Sequence, residues 1–248
     1  MKGVVLAGGL GSRLYPLTKV TNKHLLPVYD RPMVYYPIQC LVNAGISDIL
    51  IVTGGNSAGD FLQLLGNGAD FGLKQLYYAY QQGEGGIADA LKLAEHFAEG
   101  ESIVVVLGDN IIEGNIAKAA DDFRAQVKET GGGAKIMLKE VHDPHRFGVA
   151  TIGDGRVEKI VEKPKDPESN LAVIGIYMYD NTVFDICRDL KPSGRGELEI
   201  TDVNNEYIGR GNLSYEIMKG WWTDAGTFDS LHRAAGMIVD GGANRMDL

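Results

Sequence analysis

The sequence predicts an α/β domain in three layers, with a mostly parallel but mixed central sheet between helices and a second lobe inserted beside it. Three observations predict this. Short apolar runs alternate with helical stretches over roughly the first 110 residues, a glycine-rich turn follows the first run, and strand-like runs crowd the second half with only turn clusters between them.

The first strand is Val4-Val5-Leu6, and Gly8-Gly9-Leu10-Gly11 turns the chain out of it. Residues 33–44 then read as a helix and Ile49-Leu50-Ile51-Val52 as a second apolar strand. Runs at 76–80 and 103–107, with a helical segment at 87–97 between them, continue the alternation. Strands without polar alternation are buried on both faces, as a parallel sheet covered by helices requires. Ligands in such sheets sit beyond the carboxyl ends of the strands, so the loops after Leu6, Tyr80 and Leu107 are expected along one rim. In the second half, strands are read at 134–138, 149–152, 157–161 and 173–179, separated by Gly153-Asp154-Gly155 and Lys163-Pro164-Lys165-Asp166-Pro167. The pair flanking Asp154-Gly155 predicts a hairpin, and the mixed charges of 121–129 read as a solvated helix face. No low-complexity linker or internal repeat divides the chain. Residues 1–248 are therefore read as a single domain with a cleft between two lobes, about 1–110 and about 111–248.

With 33 acidic against 24 basic residues the net charge is −9, which argues against a nucleic-acid partner. A few local cations and one metal ion can still draw an anionic small molecule into a pocket. No apolar run approaches the roughly 18 residues of a membrane span, and Met1-Lys2-Gly3 leads into a strand without the features of a secretory leader. A soluble cytoplasmic protein with no membrane partner is expected. Cys40 and Cys187 lie far apart in apolar surroundings and read as reduced core thiols.

Chemistry gathers in four places. The loop Leu6-Ala7-Gly8-Gly9-Leu10-Gly11-Ser12-Arg13-Leu14 offers bare amides and a cation, which can hold a polyphosphate. It lacks the Gly-Lys-Ser/Thr of a P-loop and the third glycine of the dinucleotide fingerprint, and the plain alternative is a glycine turn beside a solvated arginine. Lys23, in Thr21-Asn22-Lys23-His24-Leu25-Leu26-Pro27-Val28, either snorkels from an apolar segment or joins Arg13 in neutralising a phosphoryl group. Asp109 ends the apolar strand in Val104-Val105-Val106-Leu107-Gly108-Asp109-Asn110, where it reads as a magnesium ligand or a cap. Asp224, in Trp222-Thr223-Asp224-Ala225-Gly226-Thr227, is the second carboxylate that Mg2+ could take.

These segments, together with Glu162-Lys163-Pro164 and Arg195-Gly196-Glu197-Leu198-Glu199-Ile200-Thr201-Asp202, occur in the order found in the sugar nucleotidyltransferases. The chain resembles that family over nearly its whole length, most closely a short form that uses dTTP and glucose 1-phosphate. The resemblance implies a Rossmann-like fold with a substrate lobe, Mg2+ as cofactor, and a homo-oligomer. It implies that Gly8, Gly9 and Gly11 line the triphosphate, that Arg13 and Lys23 are catalytic, and that Asp109 and Asp224 hold the metal. Gln81 and Gly86 would read the pyrimidine base, while Gly148, Glu162, Lys163 and Val173 would form the sugar-phosphate pocket. Two departures from the long form are visible: the chain ends at Leu248, soon after the Asp224 motif, and Gly83-Glu84-Gly85 precedes Gly86 in the base loop. Weak or absent feedback through a second site is the expectation from the first, and thymine-versus-uracil choice stays open from the second.

Rival readings are a uridylyltransferase, a non-catalytic nucleotide-sugar sensor, which would be expected to lose a charged residue, and a nicotinamide dehydrogenase, which wants the missing glycine. His142 and His145 have metal-like spacing but sit in a proline turn and read as surface. Tyr35, Tyr36, Tyr77, Tyr78 and Tyr80 read as core and rim, and one of Trp221 and Trp222 is expected in the core with the other at the sugar pocket.

Overall fold

The structure, a computed structural model, describes residues 1–246. Along the chain run β1 (Lys2–Ala7), the two-residue strands β2 (Pro27–Val28) and β3 (Arg31–Pro32), α1 (Tyr35–Asn43), β4 (Asp48–Gly54), α2 (Ala58–Leu65) and β5 (Gln75–Gln81). Next come α3 (Ile87–Lys92), α4 (Glu95–Ala98), β6 (Ile103–Leu107), β7 (Asn110–Ile112), α5 (Ala117–Thr130), β8 (Ala134–Glu140), β9 (Gly148–Gly153) and β10 (Arg156–Glu162). The chain continues through β11 (Leu171–Tyr179), α6 (Val183–Asp189), α7 (Ile200–Gly209), β12 (Leu213–Ile217), β13 (Trp222–Asp224) and α8 (Phe228–Gly241).

One nine-stranded sheet runs β10-β9-β11-β6-β1-β4-β5, with β8 and β12 branching from β11. The block β6-β1-β4-β5 is parallel, with β6, β1 and β4 apolar and buried as expected and β5 as its half-exposed edge, and β11 enters antiparallel. Successive residues of β1 bury opposite faces: Val4 and Leu6 join one core with Leu91, Phe184 and Val203, while Val5 and Ala7 join the other with Ile38, Phe61 and Phe123. Each fully buried aliphatic side chain contributes about 1.5–3 kcal/mol, so a charge at Val4 or Val5 would unseat a helix on either face. A third, smaller cluster seats α8 on Met33, Tyr36 and Ile111.

At β11 the sheet forks. The last four residues of this strand pair with β6, whereas Ala172 and Val173 pair with β9, and the register against β8 slips between Val173 and Tyr177. The split therefore falls at the carboxyl end of β6.

The hairpin at Asp154-Gly155 forms with both residues at positive φ, 49° and 74°, which suits the twist of β9 and β10. The segment read as one helix over 87–97 is two, α3 and α4. The chain tightens between them through the bonds Leu93 N–H to Ala90 O and Ala94 N–H to Leu91 O, each spanning only three residues. The sequence reading assigned no element to α2, α6, α7, α8, β7, β12 or β13, although α2 and α8 are amphipathic. α8 opens with a capping box built from two hydroxyls, Thr227 and Ser230, instead of the more recognisable Thr and Glu. Among the described residues no helix is long and apolar enough to cross a membrane.

Candidate active site

The carboxyl ends of β1 and β6 lie side by side, in the register Leu6 to Leu107, and Gly108 N–H donates to Leu6 O at 2.9 Å. From β1 the glycine loop turns at Gly11, whose φ of 69° disfavours any side chain, into a 3-10 turn over Ser12–Leu14. Leu14 is fully buried and anchors the turn, which leaves Arg13 on the open side. A second 3-10 turn, Lys23–Leu25, is capped by Asn22, which accepts from His24 N–H at 2.9 Å. His24 is buried against Gly108, where a Cβ would stand 2.6 Å from its ring. Burial, with the charge of Lys23 adding to it, lowers the His24 pKa to about 3, so the ring is neutral.

Lys23 Nζ reaches Asp109 Oδ2 at 2.5 Å, and Asn110 Nδ2 donates to Asp109 Oδ1 at 3.0 Å. Asn110 is itself held, since its Oδ1 accepts from Gly175 N–H at the β11 irregularity and from Trp222 Nε1 at 2.7 Å. Burial would raise the Asp109 pKa, but the Lys23 charge and these hydrogen bonds outweigh it and hold the carboxyl well below the usual range. The short ladder β7–β13 places Asp224 opposite Asn110, and Ala225 N–H donates to Asp109 O at 2.8 Å. Arg13, Asp109 and Asp224 thus converge on Gly226: a Cβ there would lie 3.1 Å from Arg13 Nη2, 3.5 Å from Asp109 Oδ2 and 3.6 Å from Asp224 Oδ2. The Asp224 pKa is raised, first by burial and then by Asp109, with Arg146 (3.7 Å away), Arg13 and Lys23 pulling the other way. Two carboxylates crowded this way gain from a cation between them.

Beside this cluster, at the end of β5, Gln81 pairs in register with Gly54, and its Oε1 would stand 2.8 Å from a Cβ on Gly8. A Cβ on Gly9 would meet Lys23 Cε at 3.4 Å, so Gly8 and Gly9 both leave room where these side chains gather. Gly86, at φ 93°, precedes α3, and its carbonyl accepts from Gln81 Nε2 at 3.2 Å.

The second group lies across the fork. Gly148 of β9 pairs with Glu162 on one side and Val173 on the other, so three of the residues assigned to the sugar pocket form one row across three strands. Lys163 follows at φ 44°, with its backbone N–H on Phe147 O and its ammonium 3.4 Å from Glu162. Glu162 also accepts from Thr201 Oγ1 at 2.7 Å and faces Arg195 Nη2 at 3.4 Å. Arg195 in turn grips Glu199 through two nitrogens, at 3.0 and 2.7 Å. Phe147 packs edge-on to Trp222 with centroids 5.2 Å apart, and so connects this row to Asn110 and Asp109. Trp222 is thus the tryptophan at the site, while Trp221 packs with the α8 cluster.

Every residue that the resemblance assigns to the site falls into one of these groups. His142 and His145 are exposed, and among the described residues no group of three or more potential metal ligands exists. Sequence reasoning assigned no role to His24, Asn110, Arg146, Thr201 or Arg195, although all but Arg146 lie within the motifs it used. Asp89, in α3, was missed altogether; it accepts from Gln81 Nε2 at 3.0 Å and pairs with Lys92 at 2.9 Å.

Residues 2–240 match the nucleotidyl transferase family. A glucose-1-phosphate thymidylyltransferase of Neisseria meningitidis is 44% identical over 244 residues, 96% of this chain and 82% of the relative. One from Mycolicibacterium smegmatis is 45% identical over 241 residues, with the same coverage. A solved structure from Bacillus anthracis, provisionally assigned as a glucose-1-phosphate thymidylyltransferase and crystallised with sucrose, superposes with a TM-score of 0.91 at 52% identity, covering 97% of this chain and 96% of that one. A UDP-glucose pyrophosphorylase complexed with UDP-glucose gives 0.82 at 25% identity, covering 96% and 98%.

Proposed function

This chain belongs to the nucleotidyl transferase family, and from that premise we propose that it joins dTTP to α-D-glucose 1-phosphate, forming dTDP-glucose and pyrophosphate. The observation that carries the reading is the convergence of Arg13, Asp109 and Asp224 on Gly226, with Lys23 bound to Asp109, at the carboxyl ends of β1 and β6. The nucleophile belongs to the substrate: a phosphate oxygen of glucose 1-phosphate attacks the α-phosphorus in line, the bond to the bridging oxygen breaks, and pyrophosphate leaves with those electrons. No protein nucleophile is needed, and positioning with charge neutralisation supplies most of the rate.

In this reading Gly8, Gly9 and Gly11 keep the backbone low enough for the triphosphate to approach, and Arg13 and Lys23 neutralise the reacting and departing phosphates. Asp109 and Asp224 suit a divalent cation, which we take to be Mg2+: they are two converging carboxylates, one made more basic by burial and by the other's charge, and Mg2+ takes one or two carboxylates and leaves its other positions to phosphate and water. When bound, the cation neutralises charge on the triphosphate. Gln81 and Gly86 meet the base. Glu162 accepts from sugar hydroxyls, Lys163 faces the sugar phosphate, and Gly148 and Val173 shape the pocket around the ring. Residues to about 110 thus serve the nucleotide and the remainder chiefly the sugar. The protein would act in the cytoplasm as a homo-oligomer without nucleic-acid or membrane partners, in keeping with two buried free thiols and a net charge of −9.

The test is pyrophosphate release with Mg2+ and glucose 1-phosphate, comparing dTTP, UTP, ATP, GTP and CTP at equal concentration. Release dominated by dTTP supports thymidylyl transfer, and dominance by UTP keeps the mechanism but changes the base. Silence with every nucleotide and with other sugar 1-phosphates would overturn catalysis.

A further inference from the structure

We infer that Asp89 is a positioning residue for base selection, locking the Gln81 amide so that its oxygen faces the nucleotide and selects a base that presents a ring N–H. The inference rests on the assignment of Gln81 to the base. The Gln81 amide could lie either way round, and its neighbours decide which. Nε2 lies 3.2 Å from the Gly86 carbonyl oxygen and 3.0 Å from Asp89 Oδ2. Both partners only accept, so both hydrogens of the amide are consumed and the nitrogen must point toward α3. Oε1 is left on the opposite side, against Gly8, and no donor among the described residues reaches it. Gln81 is only 6% exposed, yet Oε1 is not among the sealed side-chain atoms that lack partners, so it opens toward the glycine loop.

Asp89 is itself fixed. Lys92, one turn on in α3, pairs with its Oδ1 at 2.9 Å, leaving Oδ2 for Gln81. Although partial burial favours the protonated form, the hydrogen bonds from Gln81 and Lys92 and the Lys92 charge keep Asp89 below the ordinary carboxylate range, so it stays a pure acceptor at neutral pH. A lone carbonyl oxygen accepts the N3–H of thymine or uracil. It opposes the N3 lone pair of cytosine, where acceptor would meet acceptor. The carboxylate and the helix turn that carries it thus supply a discrimination against cytosine that the amide could not supply if it were free to flip.

The experiment measures kcat and KM for dTTP and for dCTP, with glucose 1-phosphate saturating, in the wild type and in Asp89→Ala, Asp89→Asn and Gln81→Leu. In Asp89→Ala the dTTP-to-dCTP ratio of kcat/KM should fall about tenfold, the change lying in KM, because one of the two bonds that orient the amide is gone. Asp89→Asn should restore most of the ratio, since its side-chain oxygen still accepts from Nε2. An unchanged ratio in Asp89→Ala, with Gln81→Leu losing it, would overturn the positioning role while leaving Gln81 at the base. An unchanged ratio in Gln81→Leu would overturn the base assignment and this inference with it.

Discussion

At the ends of β1 and β6 the Lys23–Asp109 pair is sunk among backbone, with Arg13 at its open side, whereas beside β9 and β10 Lys163 and Arg195 stand in water. Lys23 and Asp109 keep 12% and 13% of their side chains exposed, but Lys163 and Arg195 keep 49% and 42%. Coulomb interactions are strong and little screened in the first region and weak in the second. A buried cluster is a preorganised electrostatic device that acts on charge developing in a reaction, while an exposed cluster recognises a substrate and loses it readily. One molecule therefore holds two electrostatic regimes on either side of the fork in β11, and they should separate in kinetics as turnover against KM.

The largest expected effect comes from breaking the buried pair. Lys23→Ala should lower turnover about a thousandfold and, by stranding Asp109, cost about 3 kcal/mol of stability. Lys23→Met combined with Asp109→Leu should recover stability but not turnover, measured by urea unfolding beside pyrophosphate release. If turnover returns with stability, the pair is structural and the contrast between the regions collapses.

Asp224→Asn should reduce turnover about a hundredfold and yet raise the melting midpoint of the ligand-free protein. The Asp224 pKa is raised in the fold, so its contribution to stability is fully present in acid and is lost as pH climbs through the raised value. The amide removes that loss at neutral pH. A lower midpoint would mean that Arg13 and Arg146 outweigh Asp109 at this carboxylate.

His24 sharpens the same comparison through pH. Its folded pKa is about 3 against an ordinary 6.5, so the unfolded chain takes up the proton first. Stability is then fully present above about pH 6.5 and falls in acid, by about 2 kcal/mol between pH 7 and pH 5 from this group alone. Asp109, depressed by its partners, adds to the loss only below about pH 4. Denaturant midpoints across this range should flatten between pH 7 and pH 5 in His24→Asn, and an unaltered slope would show that other groups dominate.

The smallest effect belongs to the exposed edge. Lys163→Ala should raise the KM for glucose 1-phosphate about fivefold with kcat nearly unchanged, because a half-exposed ammonium is screened. A fall in kcat of the same size as in Lys23→Ala would place Lys163 with the buried group instead.

Legibility in the sequence followed the strength of local signals. The strands at 4–6, 49–52 and 103–107 were readable because both faces are buried, and the glycine loop because only glycine tolerates its turn. α7 and α8 were passed over, because what they pack against is distant in sequence: α8 lies on Met33, Tyr36 and Ile111, and Asn205 of α7 pairs with both the N–H and the C=O of Ile160. At the site, most charged residues lay within motifs, but Arg146 and Asp89 did not; a carboxylate in the first turn of a helix has an ordinary reading as a partner of the helix dipole.

The parallel block and its rim of loops were written in the sequence, because periodicity and turn chemistry are local, and the resemblance assigned roles to Arg13, Lys23, Asp109, Asp224, Glu162 and Lys163 but not to Asp89, Arg146 or Arg195. Only the tertiary structure decided that Asp224 stands beside Asp109, 115 positions earlier in the chain, through a three-residue ladder too short to be read. It also decided that Glu162, Gly148 and Val173 form one row, and which way the Gln81 amide faces. Those facts depend on strand register and on hydrogen-bond partners distant in sequence, and such partners acquire positions only when the whole sheet closes.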